Sequence, residues 1–158
     1  MIILGIDPGT TTTGFGVIEH LDGKITFLDC GVIETKPKKP LPEKLSEIYR
    51  DIKRIISKTK PDKIAVEKLF FFKNAKTAMS VGQARGIILL AAQDSKTPIY
   101  EFTPLEIKMS ICTNGRADKK QVQEMVKAIL NLEDVPKPDD AADALAVAIC
   151  AADYKKFA

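Results

Sequence analysis

The sequence predicts an α/β protein whose core is a five-stranded mixed sheet, three antiparallel strands followed by two parallel ones, flanked by helices. Three observations lead to this fold class. Three apolar runs separated by turn signals begin the chain, segments with helical periodicity then alternate with two further apolar runs, and no internal repeat is visible. With 158 residues, 45% of them hydrophobic, the chain is long enough for us to expect one domain over 1–158.

Five short apolar runs fit strands, at residues 2–6, 13–19, 24–34, 63–67 and 98–102. The first, IILGI, is apolar throughout, which predicts a central strand buried on both faces. Asp22 and Gly23 between the second and third runs favour a tight hairpin, so the first three strands should form an antiparallel meander. The last two are separated by helical segments and should be parallel, with right-handed crossovers.

Five segments show helical character, at residues 43–58, 74–93, 104–111, 119–131 and 141–152. The first is amphipathic, with Leu45, Ile48 and Ile52 on one face. The second is rich in alanine, glycine and serine, which would allow close approach of another helix, either within the chain or from a second copy. The last, AADALAVAICAA, is nearly all apolar and should be well buried.

Net charge, cysteine content and the length of apolar stretches indicate where the protein acts. The net charge of +3 does not by itself indicate a nucleic-acid partner. Cys30, Cys112 and Cys150 form no CxxC pair, which suits a reducing cytoplasm. The N-terminal run lacks the basic flank of a signal peptide, and no apolar stretch reaches membrane-spanning length. We therefore expect a cytoplasmic protein with no membrane partner.

Acidic residues fall at three structural boundaries. Asp7 ends the first strand, Glu67 ends the fourth, and Asp140 and Asp143 lie three residues apart at the start of the last helix. Carboxyl ends of parallel strands meet at one edge of a sheet, so the four carboxylates could share one small volume. Such a cluster needs a compensating cation, and its hard oxygen ligands favour Mg²⁺ or Mn²⁺. Two such ions can promote phosphodiester cleavage.

Each acid also has a simpler interpretation. Asp7 precedes Pro8 and Gly9 and could bond the backbone of its own turn. Glu67 could pair with a lysine, and Asp140 with Asp143 could cap the last helix. The hypothesis of a cation site therefore depends on the joint placement of the acids. No Ser-His-Asp set is visible, and the single histidine, at position 20, is expected on the surface.

Three blocks, ILGIDPGTTTTGFGVIE, IAVEKLFFFKNAKTAMSVGQARG and KPDDAADALAVAI, closely resemble the signature blocks of bacterial RuvC-type Holliday-junction resolvases, and the likeness extends over about residues 2–152. The resemblance implies an RNase-H-like fold and a homodimer. It also implies cutting of four-way junction DNA in recombination and repair, with two Mg²⁺ ions per active site and a branch-migration motor complex as partner. It maps the catalytic, metal-binding acids onto Asp7, Glu67, Asp140 and Asp143.

The resemblance also suggests contacts to DNA. Its stacking aromatic corresponds to Phe70, and the following Phe71 and Phe72 are further candidates, with core or dimer packing as the alternative. Lys119 matches the catalytic-site lysine and Lys108 a second basic position. Other candidate phosphate contacts, which could equally form a solvated face, are Lys73, Lys76, Arg116 and Lys120. Asp139 is interpreted as a helix cap or a supporting residue beside the site, and the KPKK run at 36–39 as a solubilising loop.

Two other functional classes remain open at this point. The segment GIDPGTTTTGFG also resembles the phosphate loop of ATP-binding domains of the actin and sugar-kinase type, although such proteins need two lobes around the nucleotide. A junction-binding protein without catalysis would use the same basic residues and leave the acids a structural role. A different DNA- or RNA-processing nuclease of the same fold is a closer rival.

Overall fold

The computed structural model describes residues 1–69 and 75–154. Its sheet contains five strands, which are β1 (Ile2–Asp7), β2 (Thr12–Leu21), β3 (Lys24–Glu34), β4 (Lys63–Glu67) and β5 (Ile99–Phe102). Their spatial order is β3-β2-β1-β4-β5. The first three strands pair antiparallel, and β4 and β5 run parallel to β1. The predicted mixed sheet with a central first strand is therefore confirmed.

The hairpin between β2 and β3 turns at the two residues expected from the sequence. Asp22 has φ 51° and Gly23 has φ 78°, the left-handed conformation that a two-residue turn of this kind requires. The pairing continues on both sides of the turn, from Leu21 opposite Lys24 onwards.

The described helices are α1 (Leu41–Thr59), α2 (Ala75–Asp94), α3 (Pro104–Cys112), α4 (Lys119–Ile129) and α5 (Asp139–Ala152). Capping boxes begin α3 at Thr103 and α4 at Asp118, because each side chain accepts a hydrogen bond from the backbone three residues on. α5 starts two residues earlier than predicted, so all three acids of its DDAAD segment belong to the helix. None of the helices in these ranges is long and apolar enough to cross a membrane.

Helices cover both faces of the sheet. α1 and α2 pack on the face that carries Leu4 and Ile6, whereas α5, with α3 and α4 beside it, covers the face that carries Ile3. β1 is consequently buried on both sides, as its continuous apolar sequence predicts.

Glycines on β2 bring the start of α5 into direct contact with the sheet. A Cβ atom at Gly14 would lie 1.9 Å from the backbone oxygen of Asp140, and one at Gly16 would lie 2.8 Å from the backbone nitrogen of Leu145. Any side chain at either position would push the helix outward. The close approach places the acidic first turns of α5 next to the end of β1.

Candidate active site

Asp7 and Glu67 lie side by side where two parallel strands end. Ile6 of β1 is in register with Val66 of β4, so the residues that follow them emerge at the same edge of the sheet. The two acidic side chains share a hydrogen bond. Glu67 therefore has Asp7 as a partner, which differs from the simpler interpretation of a strand-end acid paired with a lysine.

Asp140 and Asp143 reach the same edge from α5. The N-cap of this helix is Pro138, and no side chain caps it, so the interpretation of these acids as a cap and its partner is wrong. The cap role considered for Asp139 is wrong for the same reason, since Asp139 is already inside the helix. Asp143 lines a cleft together with Asp7 and Glu67.

Asp7 interacts electrostatically with each of the other three acids. Burial raises the pKa of Asp7 to about 9, and the charges of Glu67, Asp143 and Asp140 contribute to the rise. Burial also raises the pKa of Asp143, against the opposing effect of a nearby lysine. Asp7 consequently holds a proton at neutral pH in the metal-free protein. Within the described ranges, no three acid, histidine or cysteine side chains are already arranged as a coordination shell.

That lysine is Lys119, the first residue of α4. Its Nζ atom lies 3.1 Å from Oδ2 of Asp143 and 3.5 Å from Oδ2 of Asp139. Burial alone would lower the pKa of Lys119, but the hydrogen bond and charge of Asp143, aided by Asp139, raise it above the ordinary value. Lys119 is therefore charged and aimed at the acids. Asp139 supports it from the outer side, where its own side chain is 61% exposed.

The cleft over these residues has a volume of about 610 Å³ and is bounded by the ends of β1 and β4 and by α2, α3, α4 and α5. Of the predicted DNA contacts, Lys108 and Lys119 line it. Arg116 and Lys120 are exposed beside it, and Lys76 is exposed in the first turn of α2. Phe70, Phe71, Phe72 and Lys73 lie outside the described residues.

Several residues of the cleft were not predicted. Arg85 of α2 lines it and forms an ion pair with Glu101 of β5, while its Nε atom is buried without a hydrogen-bond partner among the described residues. The available signal was QARG, which lies in the small-residue helix and ends the second resemblance block, but neither observation assigns a role to Arg85. His20, expected on the surface, retains 17% side-chain exposure and lies 3.7 Å from the carboxylate of Asp153.

The chain matches known proteins over almost its whole length. The family model described as crossover junction endodeoxyribonuclease RuvC matches residues 3–151. The RuvC of Halothermothrix orenii is 53% identical over 150 residues, covering 95% of this chain and 91% of the relative. The RuvC of Pelotomaculum thermopropionicum is 49% identical over 154 residues, covering 98% and 94%.

Solved structures agree with this result. The Thermus thermophilus RuvC structure superimposes with a TM-score of 0.88 at 35% identity and covers 95% of this chain and 92% of its own. The same protein in complex with a Holliday junction substrate gives a TM-score of 0.85 at 33% identity, with the same coverage. The predicted RNase-H-like fold is thereby confirmed, and the chain belongs to the family of RuvC crossover junction endodeoxyribonucleases.

Proposed function

We propose that this protein is an endonuclease that resolves four-way DNA junctions by paired, symmetric nicks. The observation that carries the proposal is the meeting of acids from β1, β4 and α5 in one open cleft beside a charged lysine. The Thermus thermophilus relative, whose fold this chain shares, is described in complex with a Holliday junction. The proposal covers 1–158 as a single nuclease domain acting on DNA in the cytoplasm.

The donor set fits a divalent cation. Asp7, Glu67, Asp140 and Asp143 supply only carboxylate oxygens, which are the ligands that Mg²⁺ and Mn²⁺ prefer. Without a cation, burial and, to a lesser extent, the charges of the neighbouring acids raise the pKa of Asp7 and favour its protonated form. When bound, two Mg²⁺ ions would supply water activation and charge neutralisation for phosphodiester hydrolysis.

The chain's own residues have separable roles in this reaction. Asp7, on the central strand, would lose its proton when the cations bind, and together with Glu67, Asp140 and Asp143 it would hold them. Lys119 would hold Asp143 in place and present positive charge to a phosphate oxygen in the cleft. Lys108, on the same cleft wall, would bind a neighbouring phosphate.

Two symmetric cuts require two such sites related by a two-fold axis, so we propose a homodimer. α2 is the candidate interface, because it carries Met79 with 77% exposure and Leu90 with 51% exposure. We further propose that one ring of the Phe70–Phe72 segment stacks on a junction base. As the family resemblance implies, a branch-migration motor complex would deliver the junction during recombination and repair.

A cleavage assay on three substrates tests the function. A synthetic four-way junction, a linear duplex of the same sequence and a single strand, each labelled on one strand at a time, are incubated with the protein with and without Mg²⁺. We expect nicks only in the junction, at symmetric positions in two strands of like polarity, and only with Mg²⁺ or Mn²⁺.

The Asp7→Asn variant is the matched control, because it preserves the shape of the side chain and removes its charge. It should bind the junction and leave it uncut. Junction binding by the wild type without any cleavage would support the alternative of a non-catalytic binder. Equal cutting of the linear duplex would point instead to another nuclease of this fold.

A further inference from the structure

We propose that Lys44 and Thr11 form a binding position for a phosphate of the DNA backbone, on the opposite side of the sheet from Lys108 and Lys119. The inference rests on the proposed function, since it concerns the path of DNA beyond the catalytic acids. Lys44 belongs to α1, which packs on the Leu4 face, whereas Lys108 and Lys119 belong to helices on the Ile3 face. DNA crossing the edge at Asp7 would therefore be held on both sides.

Lys44 is an unusual cation in this protein. It is only 8% exposed, yet no carboxylate among the described residues lies within 4.0 Å of it. The carboxylate of Glu47, one turn further along α1, is engaged by Lys39. Lysine is rarely buried unless it is paired, because removing its charge from water is costly. The positive charge of Lys44 thus lacks a counter-charge within the described chain.

The one polar contact described for the side chain of Lys44 is with Thr11, whose Oγ1 atom lies 3.5 Å from Nζ. Thr11 itself is exposed and lies four residues beyond Asp7, in the connection between β1 and β2. An ammonium group has three N–H donors, and a hydroxyl can donate as well, so the pair can offer several hydrogen bonds to one anion. The buried stem of Lys44 holds its ammonium group beside the hydroxyl of Thr11, an exposed residue.

Hydrogen bonds hold the backbone around Thr11. The backbone oxygen of Thr11 accepts from the backbone nitrogen of Thr35 at 2.9 Å, and the backbone oxygen of Thr10 accepts from Thr35 Oγ1 at 2.7 Å. Thr13 Oγ1 donates to the Gly9 backbone oxygen at 2.6 Å. These bonds anchor the connection to β2 and to the end of β3. The backbone that carries the Thr11 side chain is therefore held by these bonds.

An anion fits this position and a cation does not, and the proposed DNA substrate supplies that anion as a phosphodiester. The site presents donors and positive charge, and exposed Lys36 and Lys38 in the preceding loop extend the positive potential outward. Thr11 lies four residues after Asp7 in the connection that follows β1, and the proposed reaction requires a DNA strand to pass at Asp7. The lysine-rich loop, interpreted from the sequence as solubilising, thereby becomes the outer part of a DNA-binding surface.

Binding of a fluorescent four-way junction in EDTA, where no cleavage can occur, tests the inference over a salt series from about 50 to 200 mM. Lys44→Met keeps the apolar stem and removes the charge. We expect its affinity to fall about three- to tenfold and the slope of log K against log salt to become shallower by about one, as for the loss of one phosphate contact. Thr11→Ala should lower affinity about two- to threefold, the loss of one neutral hydrogen bond, without changing the slope.

Lys58→Gln is the matched control, because it removes a lysine charge from the exposed last turn of the same helix. It should retain the wild-type slope, and Lys44→Arg should restore the slope lost in Lys44→Met. If Lys44→Met and Thr11→Ala both match Lys58→Gln while the wild type binds and cuts the junction, the phosphate position is wrong and the nuclease assignment stands. If Lys44→Met does not fold, the exposed Thr11→Ala still decides the matter: affinity equal to that of the wild type would overturn the phosphate position. If the wild type neither binds nor cuts the junction, the proposed function itself is wrong.

Discussion

A Cβ atom on Gly5 would lie 2.1 Å from the backbone oxygen of Ala144. The central strand and α5 are therefore in direct backbone contact at this point. Asp7 lies two residues beyond Gly5 on the same face of the strand, and Asp143 directly precedes Ala144. The missing side chain at position 5 consequently sets the separation of two proposed catalytic carboxylates.

Gly5→Ala should damage both stability and activity. The added methyl group meets backbone atoms of Ala144 and Ala148, which cannot rotate away, so α5 must shift outward. We expect the free energy of unfolding to fall by about 2–3 kcal/mol, the upper range for overpacking, measured by urea denaturation. Junction cleavage should fall more than junction binding, because the displaced helix carries Asp140 and Asp143.

Gly31→Ala provides the comparison for that variant. Gly31 lies on β3, and its added methyl group would meet only the ring of Phe15, a side chain that can move. We expect a loss of less than about 1 kcal/mol and unchanged cleavage. Equal effects of the two substitutions would contradict the view that contact with α5 is what matters at Gly5.

The raised pKa of Asp7 makes the metal-free protein less stable as the pH rises. The folded state holds a proton on Asp7 up to about pH 9, whereas the unfolded chain releases it near the ordinary value of 3.8. Between these values the folded state binds more protons, so the free energy of unfolding decreases with increasing pH. In EDTA at pH 8, Asp7→Asn should therefore have a higher free energy of unfolding than the wild type. Because one pKa unit corresponds to about 1.4 kcal/mol, we expect a difference of about 2 kcal/mol or more. Urea denaturation at several pH values measures this difference, which should shrink toward pH 5.

Binding of a divalent cation should expel the same proton. Ligation requires a carboxylate, so the wild type should release about one proton per site on binding Mg²⁺ or Mn²⁺ near pH 7.5. Calorimetric titration in buffers of different ionisation enthalpy counts the released protons. Asp139→Asn, which leaves the four proposed ligands intact, should release as many as the wild type, and Asp7→Asn should release none from this position. Proton-free binding by the wild type would contradict a protonated Asp7 that becomes a ligand.

Two substitutions distinguish the contribution of Lys119 from that of Asp139. Lys119→Met removes the charge that faces Asp143 at 3.1 Å, and we expect cleavage to fall about 10²- to 10³-fold, the usual cost of losing one electrostatic contact to a reacting phosphate. Asp139→Asn removes only the 3.5 Å contact on the exposed side and should change cleavage less than about threefold, the scale of an exposed ion pair. Single-turnover rates at saturating junction distinguish this loss from weaker binding.

The sequence was most informative where a pattern is local. The continuous apolar run of β1, the Asp22–Gly23 turn and the acids at the ends of β1 and β4 each follow from neighbouring residues, and the structure has them where the pattern predicts. Helix ends were less well predicted, since α5 begins at Asp139 without a side-chain cap.

Relationships between distant segments were missed for a physical reason. The importance of Gly5, Gly14 and Gly16 appears only when the strand register places Gly5 opposite Gly16 and Asp7 opposite Gly14, beneath α5. Likewise, Lys44 shares the buried face of α1 with Ile48 and Ile52 by its helical spacing. The contact of its Nζ atom with Thr11, 33 residues away in sequence, appears only in the structure. The ion pair of Arg85 with Glu101 joins a helix to a strand in the same way.

The proposed dimer interface leads to the last prediction. Met79 is the most exposed large apolar side chain described, and Leu90 lies three helical turns further along α2, on a similar face. Met79→Glu places a charge in the proposed interface, which should convert the protein to a monomer at micromolar concentration by analytical ultracentrifugation. Thermal stability of the monomer fold should be little changed, because the side chain contributes little to the core.

The consequence for DNA cleavage separates dimerisation from folding. A monomer carries one site, so Met79→Glu should nick single strands of the junction slowly and lose the paired cuts that linearise a cruciform plasmid. Leu28→Glu is the control, because Leu28 is an apolar residue of 45% exposure on β3, at the opposite edge of the sheet from β5. α2 lies between β4 and β5 in the chain, so this variant should keep both the dimer and the paired cuts. A wild type that sediments as a monomer would contradict the proposed homodimer. A Met79→Glu dimer that still cuts in pairs would require a different interface, because two coordinated incisions need two sites held by one two-fold axis.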